Sequence, residues 1–233
     1  MKVTPARIFS AVRRWLIDDA RGLGRPVPAE VFDRDYAAGH WDLLFADEET
    51  PRNRTVADLI AGVAPHPTVL DIGCGSGRLA QLLAPVGPPA RYVGVDLSRA
   101  ALQRARALGL DGCEFVRGDF ETWRPNERFD VVVFNESIGY ARDPAATVRR
   151  FSDCLISPGG LVISYYRSGN YTAIWRRIAG VAETIRAVVV RNERGAIWDI
   201  KLLRQRCRAG NPPDVGRDCR PDVPADKISP DHS

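Results

Sequence analysis

Five short apolar segments of strand length recur through the middle of this chain, with helical patterns between them. They cover residues 68–73, 91–97, 113–119, 129–135 and 159–167. Their Val and Ile residues run continuously instead of alternating with polar ones, which indicates strands covered by other structure on both faces. Strands that alternate with helices predict a parallel sheet. We therefore expect a doubly wound α/β fold.

Two of the intervening helices carry start signals. Ser98 precedes the segment 99–108, and serine is a favoured N-cap because its hydroxyl accepts a hydrogen bond from a free helical N–H. Pro144 stands at the start of the segment 144–156, where the missing N–H of proline costs nothing. Both segments are therefore expected to be helices of the α/β pattern.

The pattern changes after the fifth strand. A helix is predicted over residues 170–182, and two strand-like runs follow at 184–190 and 196–203. The short polar loop between these runs ends in Gly195, which predicts an antiparallel hairpin at the edge of the sheet. Trp175 is expected to pack in the core, because apolar residues surround it at helical spacing.

Composition divides the chain into three parts. Residues 51–206 hold the α/β pattern and are expected to form one domain. Residues 1–50 are expected to form a helical lid or extension. Their apolar stripe, which could alternatively lie on a membrane surface, consists of Ile8, Val12, Trp15 and Leu16. Residues 207–233 are rich in proline and charge, have few large apolar side chains, and are expected to be disordered.

Several classes of protein are disfavoured by composition. The five cysteines are odd in number and scattered, which argues against both a disulfide framework and a zinc site. No segment is apolar enough to span a membrane, and we expect a cytoplasmic protein. Lys and Arg outnumber Asp and Glu over residues 167–208. We call this segment, which lies in the C-terminal third of the chain, the basic third. It is interpreted as a solvated face, with binding of RNA or another anion as the alternative.

The sequence VLDIGCGSG places Gly73, Gly75 and Gly77 between a predicted strand and a predicted helix. Glycine lets the backbone approach a ligand closely. Asp96 ends the next strand, where an acid in such a sheet accepts hydrogen bonds from ribose hydroxyls. Asp71 within the turn would repel a pyrophosphate but attract a cation. A ribose and a cationic group without phosphate indicate S-adenosylmethionine, and a nicotinamide oxidoreductase is the disfavoured alternative.

Four ordered segments resemble motifs of the class I S-adenosylmethionine-dependent methyltransferases. They are VLDIGCGSG, VGVDLS, FVRGDFETW and FDVVVFNESIGY, and the resemblance runs from Thr68 to Arg167. It implies a Rossmann-like sheet of seven strands, mostly parallel, with the antiparallel hairpin at its end. It also implies an enzyme that binds S-adenosylmethionine through Asp71, Gly73, Cys74, Gly75, Gly77, Asp96, Leu97, Asp119, Phe120 and Asn135.

Within that family, FNESIGYARDP is similar to a group that methylates small molecules, including the quinone-biosynthesis enzymes. Some members have Glu-x-x-Glu-His at this point, linked to metal use. The second Glu and the His are absent here, so no metal is expected. Glu136 and Tyr140 are the candidate catalytic residues, and Tyr36 and Trp41 are candidates to cover a flat acceptor.

The sequence therefore predicts methyl transfer to a small-molecule acceptor, most simply to oxygen with Glu136 as the base. A structural or cofactor-facing role for Glu136 is the alternative, and His40 and His66 are the other candidate bases. Two further interpretations stay open. One is an RNA or protein methyltransferase that uses the basic third, and the other is a noncatalytic adaptor that retains the fold. No residue pattern specifies the acceptor or the oligomeric state.

Overall fold

A computed structural model describes residues 18–42, 47–85 and 88–206. These residues form a seven-stranded sheet in the order β3-β2-β1-β4-β5-β7-β6. The strands are β1 (Thr68–Ile72), β2 (Arg91–Asp96), β3 (Cys113–Arg117), β4 (Phe129–Asn135), β5 (Leu155–Tyr166), β6 (Ala182–Arg191) and β7 (Ile197–Gln205). Strands β1 to β5 pair in parallel, and β7 pairs antiparallel with both β5 and β6. The predicted fold class is confirmed.

Six α-helices pack around this sheet within the described ranges. They are α1 (Ala29–Ala37), α2 (Thr50–Ala61), α3 (Arg78–Leu83), α4 (Arg99–Ala107), α5 (Pro144–Ser152) and α6 (Tyr171–Ala179). Short 3-10 turns precede α2 at Asp47–Glu49 and follow β4 at Ile138–Tyr140. Residues from α2, α3 and α4 belong to the apolar core on one face of the sheet. Residues from α5 and α6 belong to the core on the other face.

The continuous apolar runs lie where the sequence indicated, at the centre of the sheet. Residues 131–134 of β4 are fully buried, as are Val69, Leu70 and Ile72 of β1. Burial on both faces explains why these strands show no alternation of apolar and polar residues. The two helix starts are also confirmed. Ser98 accepts a hydrogen bond from the Ala101 N–H, and Pro144 occupies the first turn of α5.

The C-terminal part differs from its sequence prediction in detail. The predicted helix over 170–182 ends at Ala179, because Gly180 follows as its C-cap and β6 begins at Ala182. Trp175 is 8% exposed and packs in the core, as predicted. The hairpin forms as predicted, but β7 inserts between β5 and β6, so that β6 is the edge strand.

The path of the chain creates a crevice between β1 and β4. The chain runs outward from β1 through β2 to β3, then returns to β4 on the other side of β1. Ligands of open α/β sheets bind outside the carboxyl ends of the strands at such a reversal. The carboxyl ends of β1 to β5 and the start of antiparallel β7 all lie at this edge.

Parts of the three-part division lie outside the described residues. The apolar stripe between Ile8 and Leu16 and the predicted tail, 207–233, are among them. Within the described ranges, no helix combines the length and the apolar character that a membrane span requires.

Candidate functional site

The glycine turn leaves bare backbone at the carboxyl end of β1. Gly73 and Gly75 have φ angles of +76° and +55°, a region that residues with a Cβ rarely adopt. A Cβ on Gly73 would lie 2.5 Å from the Cβ of Ser137, and one on Gly75 would lie 2.6 Å from the hydroxyl of Tyr36. The Gly73 N–H donates to the Val95 carbonyl at 2.7 Å, which ties the turn to β2. Only glycine fits both positions.

Asp71 lies beneath this turn and is 1% exposed. One carboxylate oxygen, Oδ2, accepts a hydrogen bond from the Tyr92 hydroxyl. The other, Oδ1, is buried and has no hydrogen-bond partner among the described residues. Burial raises the pKa of Asp71 to about 7, although the Tyr92 hydrogen bond opposes the shift. An unpartnered buried carboxylate oxygen fits a ligand that brings a cationic N–H donor.

This buried acid is expected to make the stability of the ligand-free protein depend on pH. The pKa of Asp71 is raised from 3.8 to about 7 in the folded state. Between these values the unfolded chain loses its proton first, so the free energy of unfolding falls as pH rises, by about 4 kcal/mol in total. In thermal denaturation at pH 5 and pH 8, Asp71→Asn should lose much less stability than the wild type. Asp58→Asn, at an exposed site on α2, is the matched control. An unchanged slope in Asp71→Asn would contradict this assignment.

Asp96 joins the glycine turn to the start of α4. Its Oδ2 accepts from the Gly75 N–H at 2.9 Å, and its Oδ1 accepts from the Ser98 N–H at 2.8 Å. Each carboxylate oxygen has two lone pairs, so both can still accept a ligand hydroxyl. Burial raises the pKa of Asp96, while the two backbone donors oppose that shift. The side chain is held in one orientation and faces the cavity.

The loop after β3 forms the far end of the cavity. Asp119 is exposed, and its Oδ1 accepts from the Glu121 N–H at 2.9 Å. Phe120 is half-buried, and its carbonyl accepts from Arg150 at 2.8 Å. Leu97 lies on the same side of the site, directly after β2. The order of strands thus brings the predicted ribose acid and the predicted adenine contacts together.

At the end of β4, Glu136 has a φ of +65°, in the left-handed region. Its carboxylate accepts from the Ser164 hydroxyl at 2.5 Å and from the Tyr166 N–H at 3.2 Å. Burial raises the pKa of Glu136, and the nearby Arg52 guanidinium opposes this rise. Tyr140 follows in the 3-10 turn, and burial also raises its pKa. A carboxylate with a raised pKa is a stronger base than an ordinary one, so Glu136 at this edge is suited to accept a proton.

Asn135 is held by side chains that sequence reasoning missed. Its carbonyl oxygen accepts from Arg52, and its amide nitrogen donates to Asn53 at 2.9 Å. Arg52 is 3% exposed and forms an ion pair with Glu49 at 2.9 Å. These three residues lie far from Asn135 in the sequence, and no local pattern distinguishes them. The side-chain amide of Asn135 is therefore engaged within the protein, and the residue also lines the cavity described below.

Aromatic residues of the N-terminal segment cover the glycine turn. Tyr36 is 5% exposed, and its ring stacks on Trp41 with centroids 5.7 Å apart. Phe32 meets Tyr140 edge to face at 5.2 Å. Helix α1 is fixed to α4, because Asp33 accepts from the Ser98 hydroxyl at 2.6 Å. Tyr36 thus lies over the side of the site that holds Gly75, while Phe32 lies over Tyr140.

These elements enclose one cavity of about 810 Å³. Of the residues predicted for the site, those that line it are Tyr36, Trp41, Asp71, Gly73, Cys74, Gly75, Asp96, Leu97, Asp119, Phe120, Asn135, Glu136 and Tyr140. Gly77 does not line it. A Cβ there would meet Ala105 of α4 at 3.2 Å, so Gly77 serves helix packing. His40 and His66 also lie outside the lining. The volume is within the range of roughly 300–1,000 Å³ typical of small-molecule sites.

Comparison with known proteins shows similarity to methyltransferases. A family model described as "Methyltransferase domain" matches residues 64–201. A trans-aconitate 2-methyltransferase of Acidovorax ebreus is 35% identical over 126 residues, which are 52% of this chain and 48% of that protein. A relative of the same description from Azoarcus is 36% identical over 137 residues, 56% of this chain and 52% of that protein. The chain thus spans about half the length of the curated relatives it matches.

Solved structures agree on the fold. The N-methyltransferase NodS from Bradyrhizobium japonicum, in complex with S-adenosyl-L-homocysteine, superposes with a TM-score of 0.65 at 18% identity. The similarity covers 76% of this chain and 97% of NodS. At this identity the superposition shows that the two proteins share a fold, and no more.

Proposed function

This chain belongs to the methyltransferase domain family, and from that premise we propose that it transfers the methyl group of S-adenosylmethionine to an oxygen atom of a small molecule. The observation that carries the proposal is the pair of acids at the glycine turn, of which Asp71 is buried and Asp96 half-buried. Asp71 offers an unpartnered oxygen to a cationic group, and Asp96 offers free lone pairs to ribose hydroxyls. A pyrophosphate at the glycine turn would be repelled by Asp71.

The residues of the cavity suit each part of S-adenosylmethionine. Asp71 and the backbone of Gly73 and Gly75 would hold the methionine part, and Asp96 would hold the ribose. Asp119 would accept from the adenine amino group, with Leu97 and Phe120 beside the ring. The backbone carbonyl of Asn135 would face the ammonium group, because its side chain is engaged by Arg52 and Asn53.

The chemistry requires positioning and removal of one proton. When bound, S-adenosylmethionine supplies a methyl carbon on a positively charged sulfur. The acceptor oxygen would bond to that carbon as the carbon–sulfur bond breaks, and the sulfur would keep the electron pair of the broken bond. Glu136 would take the proton of the acceptor hydroxyl, and Ser164 and the Tyr166 N–H hold its carboxylate in place. The aromatic residues Phe32, Tyr36 and Trp41 would exclude water from the site.

We favour a small molecule over RNA or protein as the acceptor. Several arginines of the basic third are engaged within the protein. Arg167 pairs with Asp199 at 2.7 Å, and Arg177 pairs with Asp143 at 2.5 Å. Such pairing weakens a field that would attract a polyanion. The names of the curated relatives also refer to a small molecule, trans-aconitate.

Calorimetric titration tests the cofactor assignment. We expect the protein to bind S-adenosylmethionine and its demethylated product, and not to bind NAD, because Asp71 at the glycine turn would repel a pyrophosphate. Binding of NAD more tightly than either of these ligands would end the proposal. With labelled S-adenosylmethionine, label should pass to small-molecule extracts and not to RNA or protein. Cofactor binding without transfer to any acceptor would instead favour the adaptor alternative.

A further inference from the structure

The half of the cavity over β4, β5 and β7 has a composition of its own. We define it as the acceptor cleft, formed by Phe32, Arg52, Glu136, Tyr140, Tyr166 and Trp198. Apart from Asn135 at the end of β4, the residues assigned to the cofactor lie at the ends of β1, β2 and β3 or just after them, on the other side of the sheet order. The acceptor cleft is therefore the part of the cavity left for the second substrate, which makes its charge and shape informative.

The cationic group of this cleft is already neutralised. The Nε and Nη2 atoms of Arg52 lie 3.0 and 2.9 Å from the Glu49 carboxylate, and Nη1 donates to Asn135. The guanidinium also lies over the ring of Trp198, 5.8 Å from its centroid. These contacts use three of the five N–H donors of Arg52 and pair its charge with Glu49, which weakens its attraction for the carboxylate of a substrate.

Two further arginines, Arg78 and Arg142, line the cavity without belonging to the cleft as defined. Arg78 begins α3 after the glycine turn and donates to Gln81 at 2.8 Å. The backbone N–H of Arg142 donates to Glu121, in the loop assigned to adenine. In the described part of the chain, seven carboxylates and three guanidinium groups line the cavity. A polycarboxylate would thus enter a site with an excess of negative charge, and the Glu136 carboxylate would face it.

Four of the six residues that form the acceptor cleft are aromatic. Tyr166 is 40% exposed, and its ring lies 5.5 Å from that of Trp198 at an angle of 48°. Tyr140 and Phe32, which line the same cavity, form an edge-to-face pair. Aromatic rings that line a cavity bind flat, apolar molecules well, because they bury a large area in a fixed geometry.

We propose that the acceptor is an uncharged, planar molecule with a hydroxyl group, and that the Glu49–Arg52 pair and Glu136 exclude polycarboxylates. This inference rests on the proposed function. It separates the chain from relatives whose name refers to trans-aconitate, since a site for that anion needs cationic groups that are free to bind it. Specificity here comes from repulsion as well as from contact.

Binding of two probes to the protein saturated with S-adenosyl-L-homocysteine tests the inference. The probes are 2-naphthol, which is planar and uncharged at neutral pH, and trans-aconitate. We expect 2-naphthol to bind about 100-fold more tightly, because like charges placed together cost several kcal/mol. Equal or tighter binding of trans-aconitate, or no binding of either probe, would overturn the inference. Failure to bind S-adenosyl-L-homocysteine in the first step would overturn the proposed function instead.

A substitution that removes the charge of Glu49 but keeps its size gives a second test. In Glu49→Gln the guanidinium of Arg52 loses its carboxylate partner and becomes able to receive an anion. The affinity for trans-aconitate should rise about tenfold or more, as expected for one charge-assisted contact. Glu183→Gln, on the exposed part of β6, removes the same charge far from the cleft and should leave both affinities unchanged. An equal rise in both variants would show that only overall charge matters. If Glu49→Gln does not fold, the comparison of the two probes in the wild type still tests whether polycarboxylates are excluded.

Discussion

Asp96→Ala is expected to weaken the binding of S-adenosyl-L-homocysteine by about 100-fold or more. Two charge-assisted hydrogen bonds to ribose hydroxyls are lost, each worth ~1.5 to 3 kcal/mol. The substitution also frees the N–H groups of Gly75 and Ser98, which Asp96 holds at 2.9 and 2.8 Å. Loss of those bonds loosens the glycine turn itself, so binding falls for two reasons. Calorimetric titration measures the effect directly.

Asp119→Ala should have a much smaller effect on the same titration. Asp119 is exposed and would make a single contact to adenine, which water can partly replace. Asp111→Ala, at another exposed acid, controls for the change of overall charge and should bind as the wild type does. Equal losses in the Asp96 and Asp119 variants would show that the two acids are ranked wrongly.

Glu136→Gln is expected to reduce turnover by about 100-fold or more while cofactor affinity stays nearly unchanged, the usual effect of losing a general base. Glutamine keeps the volume of the side chain and can still accept from the Ser164 hydroxyl, so the local structure should persist. What it removes is the ability to take a proton. Steady-state kinetics at saturating cofactor, beside a titration with S-adenosyl-L-homocysteine, separates the two effects.

The pH profile distinguishes a base from a residue that only binds. Burial raises the pKa of Glu136 above its usual 4.5, and only the deprotonated carboxylate can accept a proton. Turnover of the wild type should therefore rise with pH through that raised pKa and then level off. The rise should be absent in Glu136→Gln. A fall in cofactor affinity with turnover preserved at saturation would make Glu136 a binding residue and leave catalysis to positioning.

The parts of this molecule that sequence reasoning predicted are those encoded by neighbouring residues. The buried strands follow from continuous Val and Ile runs, and the starts of α4 and α5 follow from Ser98 and Pro144. The glycine turn and Asp96 are recognisable because a strand, a turn and the next strand lie close together in sequence. All of these signals come from hydrogen bonding or packing over a few residues.

The acceptor cleft could not be predicted in the same way. Arg52 and Asn135 are 83 residues apart, and their contact depends on how α2 packs against the end of β4. Trp198 reaches the cavity only because β7 inserts between β5 and β6 in the antiparallel direction. In the sequence, Arg52 is one of many arginines, and the polar residues around it give no sign that its side chain is buried. Its burial and its pairing with Glu49 are properties of the assembled fold.

Because Glu136 adopts a left-handed backbone conformation, substitutions that stabilise the protein at this position are expected to reduce turnover. The left-handed conformation that Glu136 adopts destabilises a residue with a Cβ by about 1 to 2 kcal/mol, whereas glycine adopts it without this cost. Screens that select variants for thermal resistance alone should therefore favour Gly or Asn at this position. Such variants would lose the carboxylate that faces the acceptor cleft. Stabilising substitutions are better sought at exposed sites such as those on β6, where no ligand contact is at stake.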